Sequence, residues 1–233
     1  DLPFLVDSFK MTLDRLGISC HAIVHPVLSV TRSAQGELES LPGPIKESVV
    51  WMEIERQSSE SAEALCAALR STLEDVRVSV EDWQMMRDKM LEVADIAAGQ
   101  QIHNGETDTS EAHDFLFWAS DNHFTFLGFR EYRLSGSGEN ESLEPVPGSG
   151  LGLLRDGHHS ASPRPVNSLG RKQSLRQELL ILTKTAARAT VHRSTYMDYI
   201  GVLRYGADGK ALGEYRFIGL YTTSAYNRRP WEI

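Results

Sequence analysis

Cysteine is scarce in this chain: Cys20 and Cys66 are the only two among 233 residues. They stand far apart, without the spacing of a disulfide framework, and read as reduced, buried small hydrophobes of a cytoplasmic protein. Apolar runs of membrane-spanning length are missing too, and residues 1–10 carry no basic leader, so neither a spanning helix nor secretion is expected. Positive charge is in deficit, with 24 Lys and Arg against 32 Asp and Glu and a formal net charge of −8. A surface of that sign repels phosphate backbones, which argues against nucleic acid as a partner. Internal repeats are absent. What is present is ordinary globular composition, 41% hydrophobic, enough for a packed core and, at this length, for two domains.

The first module opens with Leu5, Phe9, Leu13 and Leu16 at helical steps behind Pro3, and Gly17 supplies the C-cap. Ile18–Arg32, rich in Val and Ile, predicts a strand bent at Pro26. The Gly- and Pro-containing stretch 33–47 predicts a polar loop. Alternation of Val50, Met52 and Ile54 then predicts a second strand over 48–56, paired with the first as a hairpin. Leu65, Leu69, Leu73, Val76, Val80 and Trp83 step by three or four and predict a helix from Glu60 to Ala98. Val76, Val78 and Val80 also alternate, so a short interrupting strand is the alternative. Residues 99–110 lack periodicity and predict a linker, dividing the chain into modules 1–98 and 111–233.

The second module starts with a helix over 111–120. Strands follow over 123–134, 143–146, 151–155, 178–184, 197–205 and 211–222, the last two joined by the hairpin signal Gly206-Ala207-Asp208-Gly209. The Gly/Pro/Ser/His-rich stretch 156–173 breaks this pattern. Helices followed by antiparallel strands make the class α+β.

Chemistry-bearing motifs are few. Gly148-Ser149-Gly150-Leu151-Gly152 has the look of a phosphate loop. A dinucleotide fingerprint, however, follows a strand and opens a helix, so a β-turn is the expected role here. His158 and His159 are adjacent on a flexible loop and no Cys or carboxylate cluster accompanies them, so a solvated loop pair rather than a metal site is expected. His21 and His25, four apart on one strand, either share a ligand or are ordinary strand histidines. The densest polar segment is 190–199. Its His192, Arg193, Tyr196 and Asp198 either line a carboxylate pocket, with Arg193 as the forked donor, or tie down a structural corner. No nucleophile with an activating base is recognisable, and no catalytic residue is assigned.

Asp1-Leu2-Pro3-Phe4-Leu5-Val6-Asp7-Ser8 resembles the turn that opens the first helix of ACT domains, βαββαβ modules of ferredoxin-like type. That resemblance implies an amino-acid effector at Asp1, Pro3, Phe4 and Leu5, with Phe4 standing where the family has Gly and a first strand lying upstream of residue 1. A wider set covers nearly the whole chain in order. It includes His25-Pro26-Val27-Leu28, Asp121-Asn122-His123-Phe124-Thr125-Phe126-Leu127-Gly128, the glycine run 148–152, Thr190-Val191-His192-Arg193, the run 196–202 and the run 219–226. This set resembles the N-terminal region of the large bacterial NAD-specific glutamate dehydrogenases. It implies an ACT-like module followed by a PAS-like antiparallel sheet with a leading helix, a second ACT-like unit being the alternative.

By the same resemblance the chain is a non-catalytic regulatory and assembly region. It would hold no cofactor itself, NAD serving the parent enzyme. Its expected partners are the remaining domains and the other subunits of a homo-oligomer, with no nucleic acid and no membrane. The rival reading is a purely structural set of oligomerisation arms without a ligand. Phe4 and the aromatics Phe124, Phe126 and Phe129 are its discriminating features.

Overall fold

The computed structural model describes residues 2–100, 109–136, 142–158 and 178–222. The chain folds as two compact units, residues 1–77 with 190–194 and residues 78–189 with 195–233.

In the first unit, α1 (Leu5–Arg15) buries Leu5, Ser8, Thr12 and Leu13 and closes at Gly17, whose φ of 70° suits a residue without Cβ. The bend at Pro26 appears as expected, splitting the predicted strand into β1 (Cys20–Val24) and β2 (Val27–Arg32). The stretch expected as a loop is instead largely strand, β3 (Leu38–Ser48), which pairs antiparallel with β2 from Val27↔Ser48 to Arg32↔Leu38. The register shift between Val30↔Ile45 and Thr31↔Ser40 loops out 41–44, so neither proline there has to donate a ladder hydrogen bond. Gly43 fits against the partner strand because a Cβ would stand 2.1 Å from the Val30 carbonyl carbon. Pro and Gly read as loop in sequence, and the bulge is what reconciles them with a strand.

β4 (Trp51–Ile54) pairs with β1 through Val24↔Trp51 and Ile23↔Met52. Helix α2 (Ser59–Glu81) runs through residues 76–80, so the alternation of valines there is incidental. Leu13, Ile18 and Leu65 form the core of this unit, with Met52, Ile54 and Leu69 against it. Cys66 is exposed and Cys20 half-buried, which corrects the expectation that both are buried. Leu65 and Leu69, one turn apart, define the inward stripe of α2, and Cys66 lies about 100° away from it. His21 sits at the bulge of β1 and His25 just beyond its end, so they do not share one strand face.

In the second unit, α3 (Trp83–Ala98) and α4 (Thr109–Trp118) pack on one face of an antiparallel sheet. The linker expected over 99–110 places 78–98 in the first module. In the structure the inward stripe of α3, Met86, Met90, Val93, Ala94 and Ala97, is buried in the second core. The linker expected at 99–110 lies mostly outside the described residues. A π-type turn at Ala119–His123 leads into β5 (Phe124–Ser135), followed by β6 (Ser142–Pro145), β7 (Leu151–Gly152), β8 (Leu180–Arg188), β9 (Tyr196–Tyr205) and β10 (Ala211–Tyr221). The order is β6-β5-β10-β9-β8, with β7 beside β5. β7 is a two-residue pairing rather than the longer strand expected over 151–155. Phe124, Phe126, Phe129, Ile200, Val202 and Phe217 face the helices. Truncating a fully buried member such as Phe217 is worth about 3–5 kcal/mol.

Candidate functional site

The head of α1 and the turn before β9 meet within the first unit. Phe4 caps α1 with φ 67° and ψ −1°, the left-handed region, and supplies no side-chain hydrogen bond to the helix. His192 is left-handed as well, at φ 73°. A bulky residue in this region costs about 1–2 kcal/mol, so two in contact need a cause. The cause is Ser8. Its buried hydroxyl donates to the Phe4 carbonyl at 2.6 Å and accepts the His192 backbone N–H at 3.1 Å. The Phe4 and His192 rings stack above this clasp with centroids 4.7 Å apart and planes tilted by 42°.

The clasp continues as a buried polar ladder. Thr12 Oγ1 bonds the Ser8 carbonyl at 3.0 Å and pairs with Thr72 Oγ1 at 2.7 Å. Thr190 Oγ1 donates to Asp75 Oδ2 at 2.6 Å, and both residues are buried. Burial holds the His192 imidazole below its ordinary pKa, and the neighbouring Arg193 charge adds to that effect while Asp7 opposes it. The ring is therefore favoured neutral, and among the described residues its Nδ1 is buried without a hydrogen-bond partner.

The structure thus joins two of the sequence-derived candidates, Phe4 and His192, and separates others. Arg193 shares the turn of His192 in the first unit, its N–H closing on the Val191 carbonyl at 3.0 Å. Tyr196 and Asp198 lie on β9 in the second unit. There Asp198 accepts the Tyr221 N–H at 3.0 Å and pairs with Lys184, while Arg188 lies over the half-exposed Tyr196 ring. Pro3 is exposed, Leu5 is buried, and Asp1 lies outside the described residues. Ser8, Thr12, Thr72 and Asp75 escaped the sequence reading. Their signal was present for α1, where Ser8 and Thr12 interrupt an otherwise apolar inward stripe.

Beside the clasp, Leu2, Leu5, Phe9, Ser48, Val50, Leu73 and Arg77 line a pocket of 330 Å³. Among the described residues Arg77 pairs with Glu74 at 3.1 Å, and both side chains are about half exposed.

In the second unit the glycine run is a structural turn, as expected. The Gly148 N–H donates to Asp156 Oδ2 at 2.6 Å, and the Gly152 N–H to Asp82 Oδ2 at 2.8 Å. The same Asp82 carboxylate takes the Arg155 guanidinium in a forked grip at 3.0 and 2.7 Å. Side-chain Cβ atoms at Gly150 and Gly152 would stand 2.1 Å from the Leu154 carbonyl oxygen and 2.3 Å from that of Leu127. With these amides committed to carboxylates and the glycines pressed on backbone, the turn does not fit a nicotinamide dinucleotide's pyrophosphate. His158 is half-buried and His159 lies outside the described residues.

On the sheet face opposite α3 and α4, Tyr199, Glu214 and Arg216 form a second buried network. Arg216 Nε donates to the Tyr199 hydroxyl at 3.0 Å and to Glu214 Oε1 at 3.1 Å, and the Tyr199 hydroxyl also bonds Glu214. The Arg216 guanidinium lies 3.9 Å from the Tyr132 ring centroid. Gly201 makes room for it, since a Cβ there would stand 2.8 Å from the Tyr199 ring. Burial drives the Tyr199 hydroxyl strongly upward from its usual pKa, and the Glu214 charge adds to this.

Residues 1–69 match the family described as glutamate dehydrogenase, ACT1 domain. The NAD-specific glutamate dehydrogenase of Pseudomonas aeruginosa is 35% identical over 243 aligned residues, covering 100% of this chain and 15% of that protein. That of Halomonas elongata is 33% identical over 245, again with 100% of this chain and 15% of the protein. Over its whole length the chain is thus similar to one part of the NAD-specific glutamate dehydrogenases. The enzyme of that name from Mycobacterium tuberculosis is 27% identical over 98% of this chain and 14% of its own length. The chain therefore spans only about a seventh of these glutamate dehydrogenases, as 15% and 14% coverage show. No helix among the described residues is long and apolar enough to cross a membrane. No cluster of three or more metal-binding side chains occurs among them either.

Proposed function

We propose that this chain is a non-catalytic regulatory and assembly region of an enzyme that converts L-glutamate, NAD and water to 2-oxoglutarate, ammonia and NADH. The observation that carries the reading is the match of residues 1–69 to an ACT1 domain, with the Phe4–Ser8–His192 clasp at the turn where ACT-type modules meet an effector. The helix–strand–strand–helix order of α1, β1, β4 and α2 supports an ACT-like first module, and a leading helix with an antiparallel sheet supports a PAS-like second. The glycine turn offers no dinucleotide cradle, so NAD belongs to polypeptide outside these residues in this reading.

Assembly is supported by the first unit's surface. The β1–β4 and β2–β3 pairs are each two-stranded, and Val24, Val27, Leu41 and Trp51 on or beside them are exposed. Two-stranded ribbons are marginal alone and their edges invite another chain, so neighbouring domains or subunits of a homo-oligomer would cover them. A purely structural role without effector is the second reading, and the Phe4 ring stacked on His192 favours it. Calorimetric titration with amino acids and nucleotides separates the two. Heat from a saturable effector supports regulation, and silence for all of them leaves assembly alone. The chain by itself should form no NADH from glutamate, and turnover there would sink both readings.

A further inference from the structure

The pocket beside α1 differs in chemistry from the clasp next to it. Of its seven lining residues, five are apolar, one is the Ser48 hydroxyl and one is the Arg77 guanidinium. Among the described residues the lining holds a cation and no anion. Leu2 and Leu5 also bring the N-terminal end of the eleven-residue α1 to one wall, adding partial positive charge. A ligand with an ammonium group would meet no acceptor of its charge among these residues, whereas a carboxylate on an aliphatic tail matches them all. The existing partner of Arg77 is a half-exposed i,i+3 ion pair with Glu74, a contact weak enough to exchange. The volume, 330 Å³, stands at the lower end of ligand pockets and suits a small molecule.

We propose that this pocket binds a short branched aliphatic carboxylate lacking an ammonium group, such as a branched-chain 2-oxo acid, with the carboxylate on Arg77 and the tail against Leu5, Phe9, Val50 and Leu73. It rests on the regulatory reading of the first unit and supplies it with a ligand class distinct from an amino acid. The alternative occupant is an extended segment of the protein's own longer polypeptide.

The test is calorimetric titration of the 233-residue chain and of the full-length enzyme with ketoisocaproate, its saturated analogue isocaproate, and leucine. Ketoisocaproate and isocaproate should both bind saturably, and leucine about tenfold more weakly or not at all. Arg77→Gln should weaken the two acids about tenfold. Arg77 is half exposed, so that variant should keep its fold. Leu2→Trp, which precedes α1 and fills the pocket, should abolish binding. Equal affinity for leucine, no effect of Arg77→Gln, or no saturable binding at millimolar acid would overturn the assignment. Binding to the short chain but not to the full-length enzyme would overturn it in favour of the chain-segment occupant. The NADH-forming activity of the full-length enzyme, followed in parallel, keeps the two ideas apart. Binding without any change in rate would spare the pocket and sink regulation through it, while a rate response without pocket binding would do the reverse.

Discussion

Replacing Phe4 separates the backbone of the turn before α1 from the ring that covers it. At φ 67° a residue with a Cβ carries about 1–2 kcal/mol of strain that Gly does not. Phe4→Gly therefore removes the strain but also the stack on His192, about 0.5–1.5 kcal/mol. It further loses about 1 kcal/mol of half-buried ring area and adds about 0.5–1 kcal/mol of unfolded-state freedom. The sum is a destabilisation of about 1 kcal/mol. Phe4→Ala loses the same ring contacts and keeps the strain, so it should be worse than Phe4→Gly by about 1 kcal/mol. Because both variants lack the ring, their difference isolates the backbone conformation. Urea unfolding followed by fluorescence measures it, the glycine variant having the higher midpoint at equal slope. An alanine variant as stable as the glycine one would mean that residue 4 is not held left-handed by Ser8, and the account of the clasp would fail. The same pair reads function. If the ring is what bars the turn, both variants, unlike the parent, should gain heat on titration with amino acids.

Three further outcomes follow from the geometry. Gly152→Ala places a Cβ 2.3 Å from the Leu127 carbonyl at φ 58° and should destabilise far more than Gly148→Ala, where φ is 77° but nothing lies within 4 Å; thermal unfolding of the two variants compares them, and equal losses would contradict the close packing of the turn. Asp82→Asn weakens the forked grip on Arg155 and the Gly152 N–H bond and should cost about 2 kcal/mol by urea midpoint, discounted because Arg155 is partly exposed; a loss under about 0.5 kcal/mol, the scale of an ordinary surface change, would show that other contacts hold the turn. His192 is held below its unfolded value of 6.5, so the unfolded chain takes up the proton first as pH falls, and stability drops from 6.5 down to the folded value. His192→Asn tolerates the left-handed backbone and should lose less stability than the parent over that window; identical pH profiles would show that burial does not depress the imidazole.

How much of this was legible depends on whether a feature is local. The helical stripe Leu65–Leu69–Leu73–Val76 announced α2, and it won over the alternating valines because a continuous run of helical spacing outweighs three residues. The bend at Pro26 and the hairpin at 206–209 are set by φ restrictions within four residues, and both are present. β3 was hidden because Pro42, Gly43 and Pro44 are strand-breaking by any local rule. Only the partner strand, by letting four residues bulge, makes the pairing possible. Glu214 and Arg216 alternate with Tyr215 and Phe217, the usual mark of a strand with one wet face, yet both are buried. The polar face is dry because the Tyr199 hydroxyl bonds both groups and the Tyr132 ring faces the Arg216 guanidinium from a neighbouring strand, a partnership that spans residues 132–216.

The candidate site obeys the same division. Phe4 and His192 were each suspect from their own surroundings, but what makes them one site is Ser8, a small hydroxyl with no motif. Its two hydrogen bonds reach one turn back along α1 and 184 residues forward in sequence. A polar residue inside an apolar helical stripe must find a partner or cost a buried unsatisfied group, so Ser8 and Thr12 already implied a polar strand or turn packed on α1. The sequence pattern carries the demand for a partner, while only the fold reveals that His192 meets it for Ser8 and Thr72 for Thr12.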